Sequence, residues 1–164
     1  MFSIPRKTLS KLAAALAVLT TLAVPASAQQ LAGPNVKDGA LVIPKEGISG
    51  QASFFAFTLD GTRMEVLAVR ASDGSVRTAL NTCQVCFNSG RGWYVQDGEV
   101  LVCQNCGNRF KIDQIERQKD GCNPIPITAD LKTENAKTIT TASSLLVQAK
   151  PFFARWKKTA KLGG

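Results

Sequence analysis

The chain has 164 residues, with 20 Lys and Arg against 12 Asp and Glu, five cysteines and no histidine. The absence of imidazole excludes mixed Cys/His metal sites, blue-copper and Rieske centres, and nucleophile–base pairs that use histidine. The modest positive balance is compatible with acidic partners or an anionic membrane surface. It argues against nucleic acid, which favours a concentrated basic face.

The first 28 residues have the pattern of a signal peptide. Three basic residues lie within the first eleven, an apolar run covers 12–24, and Ala-Ser-Ala at 26–28 forms a small-residue cleavage site. The apolar run is shorter than the roughly 20 residues that a comfortable membrane span needs. We therefore predict a protein that is periplasmic or otherwise exported, with a peripheral position at the cytoplasmic membrane or an uncleaved anchor as the alternatives. Removing the three basic residues leaves 17 basic and 12 acidic ones, a formal charge of +5.

The rest of the chain is predicted to be β-rich (α+β). Residues 29–39 are predicted to be a flexible lead-in, 40–130 a β-rich metal-binding domain, and 131–164 a linker and a basic C-terminal helix. A strand at 40–43 comes first. The runs SFFAFTL and TRMEVLAVR are separated by Asp60-Gly61, which predicts a hairpin.

Two further strand regions each lead into a cysteine pair. SVRTALN runs directly into Cys83, and a hairpin over 93–102, with a turn at Asp97-Gly98, ends at Cys103. Both pairs have the Cys-x-x-Cys spacing, in NTCQVCF and VCQNCGN. Because each pair follows a strand end, the chain must turn there. The predicted fold is thus a small antiparallel β domain with two rubredoxin- or zinc-ribbon-like knuckles.

The last part of the chain is predicted to change from extended to helical. Two prolines in 121–126 favour an extended path. A helix is predicted from about Ala142, capped by Thr140 or Thr141. Pro151 would lie within this helix, so a kink or two shorter pieces are expected.

Four thiols in two knuckles predict one metal centre. We predict Cys83, Cys86, Cys103 and Cys106 as its ligands. A closed four-cysteine site is typical of structural zinc, of a single rubredoxin-type iron or of an iron–sulfur cluster, and spacing alone leaves all three open. A pair of disulfides is the alternative in an oxidising compartment. Cys122 is either an additional ligand or a small buried apolar residue.

The segment from Val76 to Ile127, with the hairpin before it, resembles the FtrD-like family. These are exported or membrane-associated iron–sulfur proteins encoded with bacterial high-affinity ferrous-iron uptake systems. The resemblance covers roughly residues 40–127. It rests on all five cysteines in order, on Asn105-Cys106-Gly107 and on Gly121-Cys122-Asn123-Pro124. Many relatives place this domain after several membrane spans, whereas this chain begins with an export signal.

The resemblance implies an electron carrier with an iron–sulfur cluster, with zinc or a single iron as the alternative. Its expected partner is a membrane iron permease or another redox protein at the cytoplasmic membrane. An electron carrier is expected rather than a self-contained enzyme. The alternatives are a structural-zinc assembly module of the transporter and a thiol–disulfide or metal-delivery protein. A basic, aromatic stretch over 150–161 would be either a packed tail or a docking segment for an acidic partner or membrane face.

Overall fold

The structure is a computed structural model that describes residues 34–158. The predicted signal peptide lies outside these residues. The secondary structure is dominated by antiparallel strands, as the sequence predicts. The strands are β1 Asn35–Lys37, β2 Ala40–Pro44, β3 Ser53–Leu59, β4 Thr62–Arg70, β5 Val76–Cys83, β6 Tyr94–Asp97, β7 Val100–Cys103, β8 Arg109–Lys111, β9 Pro124–Pro126, β10 Lys132–Glu134 and β11 Thr138–Thr141.

The helical elements are short. The α-helix α1 covers Ser143–Ala149, and 3-10 turns cover Phe87–Ser89, Ile112–Gln114, Ala129–Leu131 and Lys150–Phe153. In the part of the chain that the structure describes, no helix is long and apolar enough to cross a bilayer.

The strands form three sheets with the orders β1-β2-β11-β10, β3-β4-β5-β9 and β6-β7-β8. We call them the first, central and third sheets. The predicted hairpin of the central sheet is confirmed: Leu59 pairs with Thr62 across Asp60-Gly61, whose φ angles are 43° and 75°. Positive φ at both central residues is typical of the tight turn that matches strand twist.

The first sheet draws strands from both ends of the described chain. β1 pairs with β2, and β2 pairs with β11. The segment predicted as a flexible lead-in therefore contains a paired strand at Asn35–Lys37. Likewise, β10 and β11 lie in the segment predicted as a linker.

The central sheet separates two apolar cores, because successive side chains of a strand point to opposite faces. On β4, Met64, Val66 and Ala68 pack into the core shared with the first sheet. Leu67 and Val69 of the same strand pack into the core shared with the third sheet. That second core also contains Leu101, Phe110, Ile112, Ile115, Cys83 and Cys103.

The predicted break of the C-terminal helix at Pro151 is confirmed, since α1 ends at Ala149 and a 3-10 turn follows. The predicted cap is wrong. The N-cap residue is Ala142, which makes no side-chain cap hydrogen bond. Thr141 is the last residue of β11, and its Oγ1 instead accepts a hydrogen bond from the Leu41 N–H at 3.0 Å.

The C-terminal segment is packed onto the central sheet. Trp156 is 7% exposed, and its Nε1 donates to the Asn81 carbonyl at 2.7 Å. The Lys157 ammonium lies 4.4 Å from the Trp156 ring centroid and 3.1 Å from Glu65 Oε1. Part of the basic stretch is therefore packed against the rest of the fold.

Replacing Trp156 by Ala should lower the free energy of unfolding by about 3–5 kcal/mol, because it leaves a cavity and removes the bond to Asn81. Val147 is 58% exposed. Val147→Ala is therefore the matched control and should change stability by no more than about 0.5 kcal/mol. Urea unfolding measures both. Equal midpoints for the two variants would contradict the docking of this segment.

Candidate metal centre

The first knuckle forms where β5 ends. Cys83 is the last residue of the strand, and the chain turns through Gln84 and Val85 to Cys86. The Cys86 N–H points back at the Cys83 sulfur, with N and Sγ 3.2 Å apart. Such amide–sulfur contacts stabilise negative charge on a thiolate, which is what a metal ligand requires.

The second knuckle repeats this arrangement at the end of β7. Cys103 ends the strand, and the Gly107 N–H donates to the Cys103 carbonyl at 2.9 Å. Gly107 has a φ of 73°, a conformation that glycine adopts without steric cost. The Cys103 N–H in turn donates to the Asn108 carbonyl at 2.9 Å, which closes the turn. Both knuckles agree with the sequence prediction.

A short segment before β6 joins the two knuckles. The Gly92 carbonyl accepts a hydrogen bond from the Cys83 N–H at 2.6 Å. The next carbonyl, of Trp93, accepts one from the Gln104 N–H at 2.8 Å. Two consecutive peptide groups therefore fix the position of one knuckle relative to the other.

The segment that carries Cys122 is tied to both knuckles as well. The Gln84 N–H donates to the Asn123 carbonyl at 3.3 Å. The Asn108 side-chain amide donates to the Cys122 carbonyl at 2.7 Å. Cys122 is therefore held at the site by its backbone, although it lies outside any Cys-x-x-Cys pair.

The structure brings all five thiols to one place. The sulfurs of Cys83, Cys86, Cys103 and Cys122 all lie within 4.8 Å of one another. Cys122 Sγ lies 3.4 Å from Cys83 Sγ, 3.9 Å from Cys86 Sγ and 3.0 Å from Cys106 Sγ. All five cysteines are free thiols. Which of them bind a metal, Cys122 included, stays a prediction.

The site is buried on one side and open on the other. The first cysteine of each pair, Cys83 or Cys103, is at most 1% exposed. Cys86 and Cys122 are half-buried, and Cys106 is exposed. Val85, at the tip of the first knuckle, is 63% exposed. The centre therefore lies just beneath the protein surface.

Burial and hydrogen bonding give the thiols unequal acidities. Burial raises the pKa of Cys86 to about 12 and also raises the pKa values of Cys103 and Cys122. A hydrogen bond from the Cys122 thiol, supported by the Asn108 N–H, lowers the pKa of Cys106 to about 7. Burial opposes ionisation of Cys83, but hydrogen bonds from Tyr94 and from the Cys86 N–H outweigh it and lower its pKa.

The donor set fits a thiolate-bound metal centre. Zinc in a tetrahedral site binds sulfur at about 2.3 Å, which places neighbouring sulfurs about 3.8 Å apart. The 3.4 Å and 3.9 Å separations from Cys122 bracket that value. An iron–sulfur cluster likewise takes four cysteine thiolates. The thiolate donors therefore suit either kind of centre, and the separations of the four close sulfurs suit a single ion.

Three residues outside the predicted ligand set support the centre. Tyr94 is fully buried, and its hydroxyl lies 3.8 Å from Cys122 Sγ. Gly92 acts through its carbonyl, and Asn108 through its carbonyl and its side-chain amide, in the contacts described above. The Asn-Cys-Gly-Asn run at 105–108 was a visible signal for Asn108, whereas the contacts of Gly92 and Tyr94 depend on tertiary packing.

Comparison with known proteins gives one family. A family model described as "Membrane iron-sulfur containing protein FtrD-like" matches residues 48–153, well over half of the chain. The matched segment contains all five cysteines and continues past β11 and α1. A search of curated proteins finds no match.

Gly92→Ala should displace the first knuckle. A Cβ at residue 92 would lie 2.5 Å from the carbonyl carbon and oxygen of Cys86, which are backbone atoms that cannot give way cheaply. We expect a loss of about 1–3 kcal/mol in urea unfolding and a lower metal content per chain.

Gly50→Ala is the matched control, because a Cβ there meets no atom within 4 Å. Gly50→Ala should keep the metal content and stability of the parent protein. If the two variants behave alike, Gly92 does not position the knuckle.

Cys106 should be the most reactive thiol of the reduced, metal-free protein near neutral pH. Its alkylation by iodoacetamide should rise with pH with a midpoint of about 7, because the thiolate is the nucleophile. Cys122→Ala removes the main hydrogen bond to this thiolate, so it should move the midpoint to higher pH. Peptide mapping after timed alkylation measures both; an unmoved midpoint would contradict this cause.

Proposed function

The chain belongs to the FtrD-like family, and on that premise we propose that it is an exported electron-transfer protein of a ferrous-iron uptake system. Its cysteine centre would hold an iron–sulfur cluster or, alternatively, a single iron. The family is described as membrane iron-sulfur containing, which supports this choice of metal. The protein would exchange single electrons with a partner at the cytoplasmic membrane.

The observation that carries the proposal is the convergence of five free thiols just beneath the surface. Thiolates stabilise oxidised iron, and amide hydrogen bonds to sulfur together with solvent exposure set the reduction potential. Buried Cys83 and Cys103 anchor the centre to the sheets, while the exposed side around Cys106 and Val85 allows a partner to approach. This arrangement suits an electron carrier.

The expected partner is a membrane iron permease or another redox protein. The charge of +5 after removal of the predicted signal peptide favours an acidic partner surface or an anionic membrane face. Within the basic C-terminal stretch, Lys150 and Lys157 are engaged with Asp60 and Glu65. Arg155 and Lys158 are exposed and are the residues of this stretch that we propose for docking.

A second candidate is a structural-zinc assembly module of the same transport system. The specific observation in its favour is the compactness of the cluster, whose four sulfurs lie within 4.8 Å of one another. That span suits one tetrahedral ion, and closed four-cysteine zinc sites are structural.

Anaerobic purification of the protein separates these candidates. We expect a coloured protein whose visible absorption bleaches on reduction, with iron bound and, for a cluster, acid-labile sulfide. The control is the double variant Cys83→Ser/Cys103→Ser, which should lose both the colour and the metal.

Two outcomes would overturn the electron-transfer proposal. A colourless protein with one zinc would favour the structural module. A colourless, metal-free protein that lacks free thiols after aerobic preparation would favour a thiol–disulfide protein instead.

A further inference from the structure

The centre contains one thiol more than a four-coordinate site can use. Cys83, Cys86, Cys103 and Cys122 form the mutually close set, and Cys106 is not part of it. Cys106 nevertheless touches the set, because its sulfur lies 3.0 Å from that of Cys122. This is shorter than the separation of about 3.8 Å between two sulfurs on one tetrahedral metal. The Cys106 and Cys122 sulfurs are therefore closer together than two ligands of one tetrahedral ion, and of the sulfur separations from Cys122 theirs departs most from that value.

The surroundings favour Cys122 for the fourth position. Its sulfur lies 3.4 Å from the fully buried Cys83 and 3.9 Å from Cys86, so it faces inward. Its backbone is fixed to the second knuckle through the Asn108 amide at 2.7 Å. Cys106 instead lies on the solvent side of Cys122 and is exposed. Of the two thiols, Cys106 is therefore the one nearer to solvent.

We propose that Cys83, Cys86, Cys103 and Cys122 are the four ligands, and that Cys106 is a solvent-facing fifth thiol through which the metal enters. Cys106, as the exposed thiol, would be the first to bind an ion arriving from solution, and Cys122 lies 3.0 Å from it. Cys122 would then replace Cys106 as the ligand, its thiol proton would leave to solvent, and Cys106 would be released as a thiolate. No electron is transferred in this step.

This inference rests on the metal-centre part of the proposed function and is argued for one tetrahedral ion, whether iron or zinc. It is therefore tested with Co²⁺ alone, added anaerobically to the reduced, metal-free protein. Tetrahedral four-thiolate cobalt has a strong visible absorption that reports the donor set. If the native centre proves to be zinc, the electron-transfer proposal fails, but the cobalt experiment still decides which four thiols are the ligands.

The first comparison is between Cys106→Ser and Cys122→Ser, with Cys86→Ser as a control that removes an accepted ligand. Cys106→Ser should keep the parent cobalt spectrum and affinity. Cys122→Ser should behave like Cys86→Ser, with a changed spectrum and an affinity lower by at least about tenfold, since even outer-shell losses cost 10–100-fold. Any other pattern overturns the ligand assignment, including loss in both variants or retention in both.

A second measurement needs no variant and so avoids a folding defect. The parent protein is loaded with Co²⁺, treated with iodoacetamide while its spectrum is monitored, and examined by intact mass and peptide mapping. We expect one adduct, at Cys106, with the spectrum unchanged. An adduct at Cys122, or complete protection of all five thiols, would overturn the assignment.

The entry role is tested by rate. In stopped-flow mixing with Co²⁺, Cys106→Ser should reach the parent end-point but at least about tenfold more slowly. Val85→Ala, a change at the tip of the first knuckle where the side chain is 63% exposed, is the control and should load at the parent rate. Equal loading rates for Cys106→Ser and the parent protein would overturn the entry role.

Discussion

The packing of the third sheet against the central sheet is the interaction on which the cysteine site depends. Leu67, Val69 and Ala79 on one side meet Leu101, Phe110 and Ile115 on the other in one apolar core. Burial of this apolar surface is the driving force that holds the two sheets together. Because β5 and β7 each end in a cysteine at the edge of this core, the packing also sets the separation of Cys83 and Cys103. The geometry of the site therefore depends on the lengths and register of β5 and β7 as well as on the positions of the cysteines in the sequence.

Ionising several thiols that lie so close together has an electrostatic cost, and the fold only partly offsets it. Burial raises the pKa values of Cys86, Cys103 and Cys122, so these groups stay protonated in the metal-free protein at neutral pH. The amide N–H groups of the knuckles lower the cost for individual sulfurs, as at Cys83. A bound cation supplies the remaining compensation and displaces the protons. In the metal-free site the sulfurs are thus already in position, but most of the thiols are still protonated.

Local sequence patterns were enough to predict the hairpins and the knuckles. Asp60-Gly61 identified one turn, and the two Cys-x-x-Cys pairs after strand-like runs identified the others, because these signals act within a few residues. β1 was missed because three paired residues, Asn35–Lys37, have no strand-like composition and depend on β2 for their hydrogen bonds. Thr141 looked like a helix cap, but the long-range bond from Leu41 takes its hydroxyl. Likewise, no local pattern shows that Cys122 lies 3.0 Å from Cys106, since the bonds from Asn108 and Gln84 that place it join distant segments.

The Cys-x-x-Cys spacing has a further consequence when the pair begins on a strand. The first cysteine is still in the sheet and points into the core, whereas the second lies past the turn and nearer to solvent. Two such pairs therefore give two inner and two outer sulfurs. The outer sulfurs, those of Cys86 and Cys106, are shielded from solvent only if another segment packs over them. Cys122 lies in a bend just before β9 and contacts both outer sulfurs, at 3.9 Å from Cys86 and 3.0 Å from Cys106. A fifth cysteine at this position closes the centre over Cys86 while leaving Cys106 at the surface. In a site of four cysteines the same outer thiols must both cover the metal and remain open to solvent. Here Cys122 covers the centre and Cys106 is exposed to solvent.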